Sequence, residues 1–243
     1  MIFLFTDFGL TGPYTGQVKA VLMRAAPGVP VIDLFADAPA FDPQLSAYLL
    51  AAYTSGFLPG DVFLCVVDPG VGTGRRPLVL YADGRWFVGP DNGLFELVRR
   101  RSREVHVWQI DWAPPNLSAT FHARDLFAPV AARLARGESS PGVPLAPDAI
   151  ARPVWPDELA RVLYVDGYGN AMVGIRASTL GRAAVLEVHG RAIRRHRTFA
   201  DVPPGEPLWY ANANGLVEIA VNQGHAADCL HLSVGVPVDV TTG

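Results

Sequence analysis

An unbroken apolar run, Val62-Phe63-Leu64-Cys65-Val66-Val67, stops at a carboxylate, a glycine-rich turn and two guanidiniums: Asp68-Pro69-Gly70-Val71-Gly72-Thr73-Gly74-Arg75-Arg76. With no polar position on either face, such a strand must be covered above and below, which points to a largely parallel sheet flanked by helices. Asp68 then stands at the carboxyl end of that strand, where open α/β sheets gather their ligands. A solvated Asp in a Pro-Gly turn is the plainer alternative, since glycine-rich turns are common loop punctuation.

The same loop has the look of the cofactor loop of Rossmann-type methyltransferases, which must open into a helix whose N-terminus faces the ligand. Here Gly74 is followed by Arg75-Arg76-Pro77, and a residue before proline is pushed toward extended conformations. Leu78 to Tyr81, Asp83-Gly84 and Arg85 to Val88 read as strand, tight turn and strand. The loop therefore joins strands, and it can fold Arg75 back toward Asp68.

Upstream, Ile2 to Phe5 reads as a buried strand ending in Thr6-Asp7-Phe8-Gly9, a second strand-then-Asp junction. Tyr14 to Arg24 carries Val18, Val21 and Leu22 at helical spacing, Val31 to Phe35 is a strand, and Leu45, Leu49, Ala52 and Tyr53 mark another helix. Strand, helix, strand, helix, strand is the rhythm of a parallel sheet. Thr120-Phe121-His122-Ala123-Arg124-Asp125 leads into Leu126, Val130 and Leu134, which places His122 at or just before a helix start. A lone His is more often structural than catalytic, although its intrinsic pKa makes it a ready proton acceptor.

Prolines 141, 144, 147, 153 and 156 crowd the next segment, the composition of an extended linker. Beyond it come short strands and turns: 162–165, Asp166-Gly167-Tyr168-Gly169-Asn170, 185–188, 208–210, 217–221 and 230–234. No helix is required there, and the spacing suits a small β-barrel or sandwich. The expected fold is α/β: an N-terminal domain with a mostly parallel sheet over residues 1–140, a linker over 141–157 and a small C-terminal β-barrel over 158–243.

The formal charge of −3 reflects balanced signs, and Lys is almost absent. Arg99-Arg100-Arg101 follows an apolar-periodic segment and reads as cations at a helix C-terminus, so no nucleic-acid partner is expected. Cys65 and Cys229, the only cysteines, read as buried thiols in a reducing compartment, and the histidines are scattered without zinc spacing, so no metal is expected. No apolar run nears the ~20 residues of a membrane span. A cytoplasmic setting without membrane contact is expected.

Thr6-Asp7-Phe8-Gly9, Val67-Asp68-Pro69-Gly70-Val71-Gly72, Gly89-Pro90-Asp91-Asn92-Gly93, Thr120 to Asp125 and Glu218-Ile219-Ala220-Val221-Asn222 follow one another in this order. Together they resemble the S-adenosyl-L-methionine (SAM) hydroxide adenosyltransferases, or SAM hydrolases, relatives of the fluorinases and chlorinases. The resemblance spans nearly the whole chain. It implies an α/β domain followed by a β-barrel, and a homotrimer with ligand sites between subunits. It also implies hydrolysis of SAM to adenosine and L-methionine by water or hydroxide attacking C5′, with no cofactor. The family's Asp-Arg-His triad falls on Asp68, Arg75 and His122.

The same comparison gives the binding residues. Asp7 would accept both ribose hydroxyls, with Phe8 beside it; Phe41 would pack on the sugar and base, and Phe199 near adenine. Asn170 would face the adenine edge and Asp166 the methionine ammonium, with Tyr168, Asn212 and Asn222 also in the substrate site. Two departures stand out: Val173-Gly174 where the family has Thr-Asn, and Ala213 where it usually has Ser. A non-catalytic adenosine- or SAM-binding protein is the rival from another class, and the triad speaks against it, because adenosine binding alone does not need those three residues. A SAM-dependent halogenase is a weaker alternative, because Asp68 would present a carboxylate to an anion.

Overall fold

The computed structural model describes residues 1–241, which cluster into two compact units, Met1–Val154 and a second from Trp155 onward. In the first unit the chain runs β1 (Ile2–Thr6), α1 (Tyr14–Ala25), β2 (Val31–Phe35), α2 (Pro43–Tyr53), β3 (Val62–Val66), β4 (Pro77–Ala82), β5 (Arg85–Pro90), α3 (Glu96–Arg101), β6 (Val105–Ile110), α4 (Ala128–Ala135) and β7 (Gly142–Leu145). The strands form one sheet in the order β2-β1-β3-β5-β4-β6-β7. β1 pairs in parallel with β2 and β3, and β3 with β5. β4 is antiparallel to both β5 and β6, and β6 to β7.

The direction changes at the β4–β5 hairpin. Asp83 and Gly84 both adopt positive φ, 46° and 86°, as a two-residue hairpin turn of the twist-matched kind requires. β3 is buried along its whole length, as its continuous apolar run demands. On one face Ile2, Leu4, Val62, Leu64 and Val66 pack with Val18 and Leu22 of α1 and Val130 and Leu134 of α4. On the other, Phe3, Phe63 and Phe87 stack in series at centroid distances of 5.3 and 5.0 Å, and Phe5 meets Phe35, which in turn meets Tyr53 of α2. Each such ring contributes roughly 1.5–3 kcal/mol by leaving water, so β3 is held rigidly and the residues just past its end inherit a defined position. β7 lies within the proline-rich stretch read as a linker: residues 142–145 pair with β6 as an edge strand. Its Pro144 is compatible with an edge, where a ladder donor is dispensable.

The second unit contains β8 (Leu159–Val165), β9 (Ala171–Arg176), β10 (Val185–Val188), β11 (Arg191–Arg194), β12 (Pro207–Ala211), β13 (Leu216–Val221), α5 (Ala226–Cys229) and β14 (Asp239–Thr241). These strands form two antiparallel sheets, β12-β13-β9-β8 and β11-β10-β14, around a shared core that includes Val173, Ile175, Leu186, Ile193 and Ile219. Trp209 is fully buried there, and its indole N–H donates to the Ala184 carbonyl at 3.2 Å. The expected β-barrel is thereby corrected: among the described residues the strands do not close, and the unit is two sheets over one core. Residues 230–234 form no strand, and the four residues of α5 were not expected. Cys229 closes that helix and is exposed, which corrects its reading as a buried thiol, whereas Cys65 is buried in β3. Among the described residues no helix is long and apolar enough to cross a membrane.

Candidate functional site

Asp68 lies two residues beyond β3, and the loop after it bends back so that Arg75 meets it. Arg75 Nε donates to both carboxylate oxygens at 3.1 and 3.0 Å, and Nη2 donates to Oδ2 at 2.5 Å. The pair is withdrawn from solvent, the side chains being 9% and 4% exposed. Nη2 of Arg75 also contacts Nδ1 of His122 at 2.9 Å, and the guanidinium lies 5.2 Å from the Phe127 ring centroid. Residues 7, 47 and 54 positions apart in sequence are thus brought within one hydrogen-bonded group at the end of the parallel half of the sheet.

Local structure explains the convergence. Gly72 adopts φ 80°, and a Cβ there would stand 2.6 Å from the Ala119 carbonyl oxygen, so only glycine lets the loop lie against the segment that leads to His122. Asn92 donates its amide to the Val67 carbonyl at 2.9 Å, and Asp91 accepts from Arg76 Nε at 2.8 Å, which ties the loop down at both ends. His122 precedes one turn of π-helix, Ala123–Phe127, that continues into α4. Such π-bulges recur at functional sites because they rotate a side chain out of the regular helical series. Asp125 accepts from the Ser118 backbone and from Arg124, and it secures the turn from the other side.

Burial lowers the pKa of His122 below the ordinary imidazole value, and the Arg75 charge lowers it further, against the opposing pull of Asp68 and Asp125. His122 is therefore held neutral. An arginine has only donors, so the 2.9 Å contact makes Nδ1 the acceptor and places the ring proton on Nε2.

Asp7 follows β1 as Asp68 follows β3. One of its oxygens accepts from the Phe41 backbone N–H at 3.0 Å. Burial raises its pKa, partly countered by that N–H, and the nearby Asp68 charge raises it further. Phe41 is a non-glycine residue at φ 59° and is 78% exposed, a strained backbone presenting an apolar residue to solvent. Asp7, Phe8, Phe41, Asp68, Phe121 and His122 line one hollow of about 110 Å³. Phe8, Phe121 and Tyr14 form an aromatic cluster beside it, with centroids 5.5 to 6.2 Å apart.

The second unit has its own cavity, of about 700 Å³, lined by Asp166, Tyr168, Asn170, Phe199, Tyr210 and Asn222 among others. Asp166 turns Oδ1 onto the backbone N–H groups of Tyr168 and Asn170, both at 2.9 Å, and Oδ2 receives the Asn170 amide at 3.3 Å. Gly169, at φ 83°, lies directly under the His225 ring, where a Cβ would approach to 2.3 Å. Phe199 and Tyr210 meet edge to face at 5.3 Å, and the Tyr210 hydroxyl donates to buried Glu218. Asn222 donates to the Val202 carbonyl at 2.7 Å.

Asn212 does not line the cavity. Its amide donates to Glu218 at 2.9 Å, and its carbonyl caps the turn to Leu216. Ala213 is exposed in that turn, while Val173 is buried in the core and Gly174 backs onto the Leu159 carbonyl. Tyr210, Phe121 and Gln223 are lining residues that the sequence reading missed. Tyr210 carried a signal, standing one residue after a core Trp on an alternating strand.

The SAM hydroxide adenosyltransferase N-terminal domain matches residues 2–143, and the corresponding C-terminal domain matches residues 160–239. This chain belongs to the SAM hydroxide adenosyltransferase family. Among curated proteins, (R)-S-adenosyl-L-methionine hydrolases of Thermus thermophilus and Salinispora arenicola are 39% and 40% identical to it, covering 98% of this chain and 98% and 96% of their own lengths. A fluorinase of an Actinoplanes species is 25% identical over 99% of this chain and 97% of its own. Among solved structures, an uncharacterized conserved protein from Thermotoga maritima superposes with a TM-score of 0.89 at 30% identity, covering both chains completely. Asp7, Asp68 and His122 line one hollow of the first unit, and Arg75 stands behind it, bonded to both Asp68 and His122.

Proposed function

We propose that the protein hydrolyses SAM to adenosine and L-methionine, water or hydroxide attacking C5′. The observation that carries this reading is the withdrawn group in which Arg75 bridges the Asp68 carboxylate and neutral His122 beside the Asp7 hollow. In the reaction an O–C5′ bond forms as the C5′–S bond breaks. Its electron pair returns to sulfur, methionine leaves as a neutral thioether, and the water proton passes to the protein. The sulfonium supplies its own leaving-group activation, so the proposed step calls for no metal or redox cofactor.

Arg75 places positive charge where hydroxide character develops. With its proton on Nε2, His122 donates to the attacking oxygen, and Asp68 is the group free to accept a proton. Asp7 retains one oxygen not used by Phe41 and can accept from the ribose hydroxyls. Phe199 and Tyr210 offer the base an aromatic wall, and Asn170 a carbonyl oxygen and a second amide hydrogen.

Ligand pockets run to roughly 300–1,000 Å³, and the triad hollow, at about 110 Å³, accommodates only part of such a ligand. In the homotrimer that the family resemblance implies, the cavity of a neighbouring subunit's second unit would complete each site, which accords with a hollow that holds only part of the ligand. Cys65 and Cys229 are both free thiols, which favours a reducing, cytoplasmic setting. The test is to incubate the purified protein with SAM and follow adenosine and methionine by chromatography: equimolar appearance of the two supports the reading, and SAM left intact overturns it.

A further inference from the structure

Beyond the hydrolytic site, the second unit holds a basic hollow of about 540 Å³ lined by Arg182, Arg195, His196, Arg197 and Ala211, with no carboxylate among its lining residues. Among the described residues none of the three arginines takes part in an ion pair. Arg195 is held with its guanidinium 5.1 Å from the Trp209 ring centroid. The nearby acid, Asp201, turns one oxygen onto the backbone N–H groups of Arg197 and Thr198 at 2.9 and 3.1 Å, and its charge is also felt by Arg197 and His196. Three guanidiniums around one concavity outnumber the single carboxylate beside them, so an anion seated between them is favoured.

We propose that this hollow is a binding site for a polyphosphate chain, free or carried by a nucleotide. Guanidiniums bind phosphate oxygens through paired parallel N–H bonds, and three of them match a ligand bearing several charges better than a single carboxylate. The volume falls within the range of ordinary ligand pockets, about 300–1,000 Å³, and exceeds what one inorganic phosphate requires. The protein's net charge is −3, so general attraction of anions to the whole molecule does not account for binding here. The hollow is also separate from the adenosine cavity. Tyr210 lines that cavity and Ala211 lines this one, and successive residues of β12 point to opposite faces.

Binding can be measured without turnover. Sodium tripolyphosphate and uridine triphosphate are titrated into the intact protein by calorimetry at low salt; a pyrimidine nucleotide avoids the cavity expected to take adenine. Both should bind at submillimolar concentration. The exposed double substitution Arg182→Glu/Arg197→Glu should weaken binding by tenfold or more, and Arg195→Gln serves as an independent second variant. Arg103→Glu, a charge reversal in the first unit, should change nothing.

Equal affinity for the two ligands supports a site that reads the phosphate chain alone, and tenfold tighter binding of the nucleotide supports a nucleotide source. Absence of binding at millimolar ligand, equal weakening by Arg103→Glu, or binding only of a single-stranded oligonucleotide would each overturn the proposal.

Discussion

Replacing Asp68 by Asn should separate chemistry from adenosine binding and reveal how strongly the site's charges are coupled. The Asp68–Arg75 pair is joined by three hydrogen bonds and is almost fully withdrawn from solvent. Removing one partner of such a pair costs about 3–5 kcal/mol, because the remaining guanidinium stays buried without its counter-charge. At roughly 2–4 °C per kcal/mol for a unit of this size, the first unit should melt about 6–20 °C lower. Turnover should fall by about 10²- to 10⁴-fold, the range for loss of a general base, while adenosine, held through Asp7 and the aromatic walls, binds as before. The assay is single-turnover conversion of SAM well below the variant's melting temperature, with calorimetry for adenosine. Wild-type turnover together with an unchanged melting temperature would refute both the proton-accepting role and the burial reasoning.

The pKa of His122 is lower folded than unfolded, so the unfolded chain binds more protons as pH falls below the ordinary imidazole value; this residue should therefore subtract stability there, measurable by denaturant titration at stepped pH. The same shift keeps His122 neutral, and the acid limb of turnover assigned to it should lie below that value. Arg75→Lys should lose most activity even though charge is retained, because an ammonium cannot reproduce the planar fork that meets Asp68 and His122 together; kcat and circular dichroism distinguish this from unfolding. Gly72→Ala should lower both stability and turnover, since the added methyl group meets the Ala119 carbonyl at 2.6 Å; a melting temperature equal to wild type would contradict the close approach. Mixed subunits carrying Asp7→Ala or Asn170→Ala should regain partial activity where sites are shared between chains, and subunits with self-contained sites should not.

The meeting of Asp68 and Arg75 was legible from local signatures, an apolar strand ending in Asp68 and a proline at 77 that forbids a helix after the loop, whereas His122 joined them only through the family resemblance. The Asp83-Gly84 turn was legible for the same reason, since few residue pairs tolerate two successive positive φ angles. What lay beyond reach depended on long-range packing. Alternating short strands do not reveal whether a sheet closes on itself, so the second unit was read as a barrel. An apolar neighbourhood in sequence did not bury Cys229, because α5 ends there and turns the thiol outward. The π-turn after His122 leaves no periodic trace in its five residues. Family comparison pointed to Asn212, yet its side chain is occupied with Glu218 and its own turn, a local use that motif matching does not distinguish from ligand contact.

The central claim is attack of water on C5′ at the Asp68, Arg75 and His122 group. Running the reaction in water labelled with heavy oxygen and analysing the products by mass spectrometry tests it most directly. The account predicts adenosine carrying one labelled oxygen at its 5′-hydroxyl, in equal amount with unlabelled methionine. Unlabelled adenosine, or S-adenosylhomocysteine in place of methionine, would contradict it.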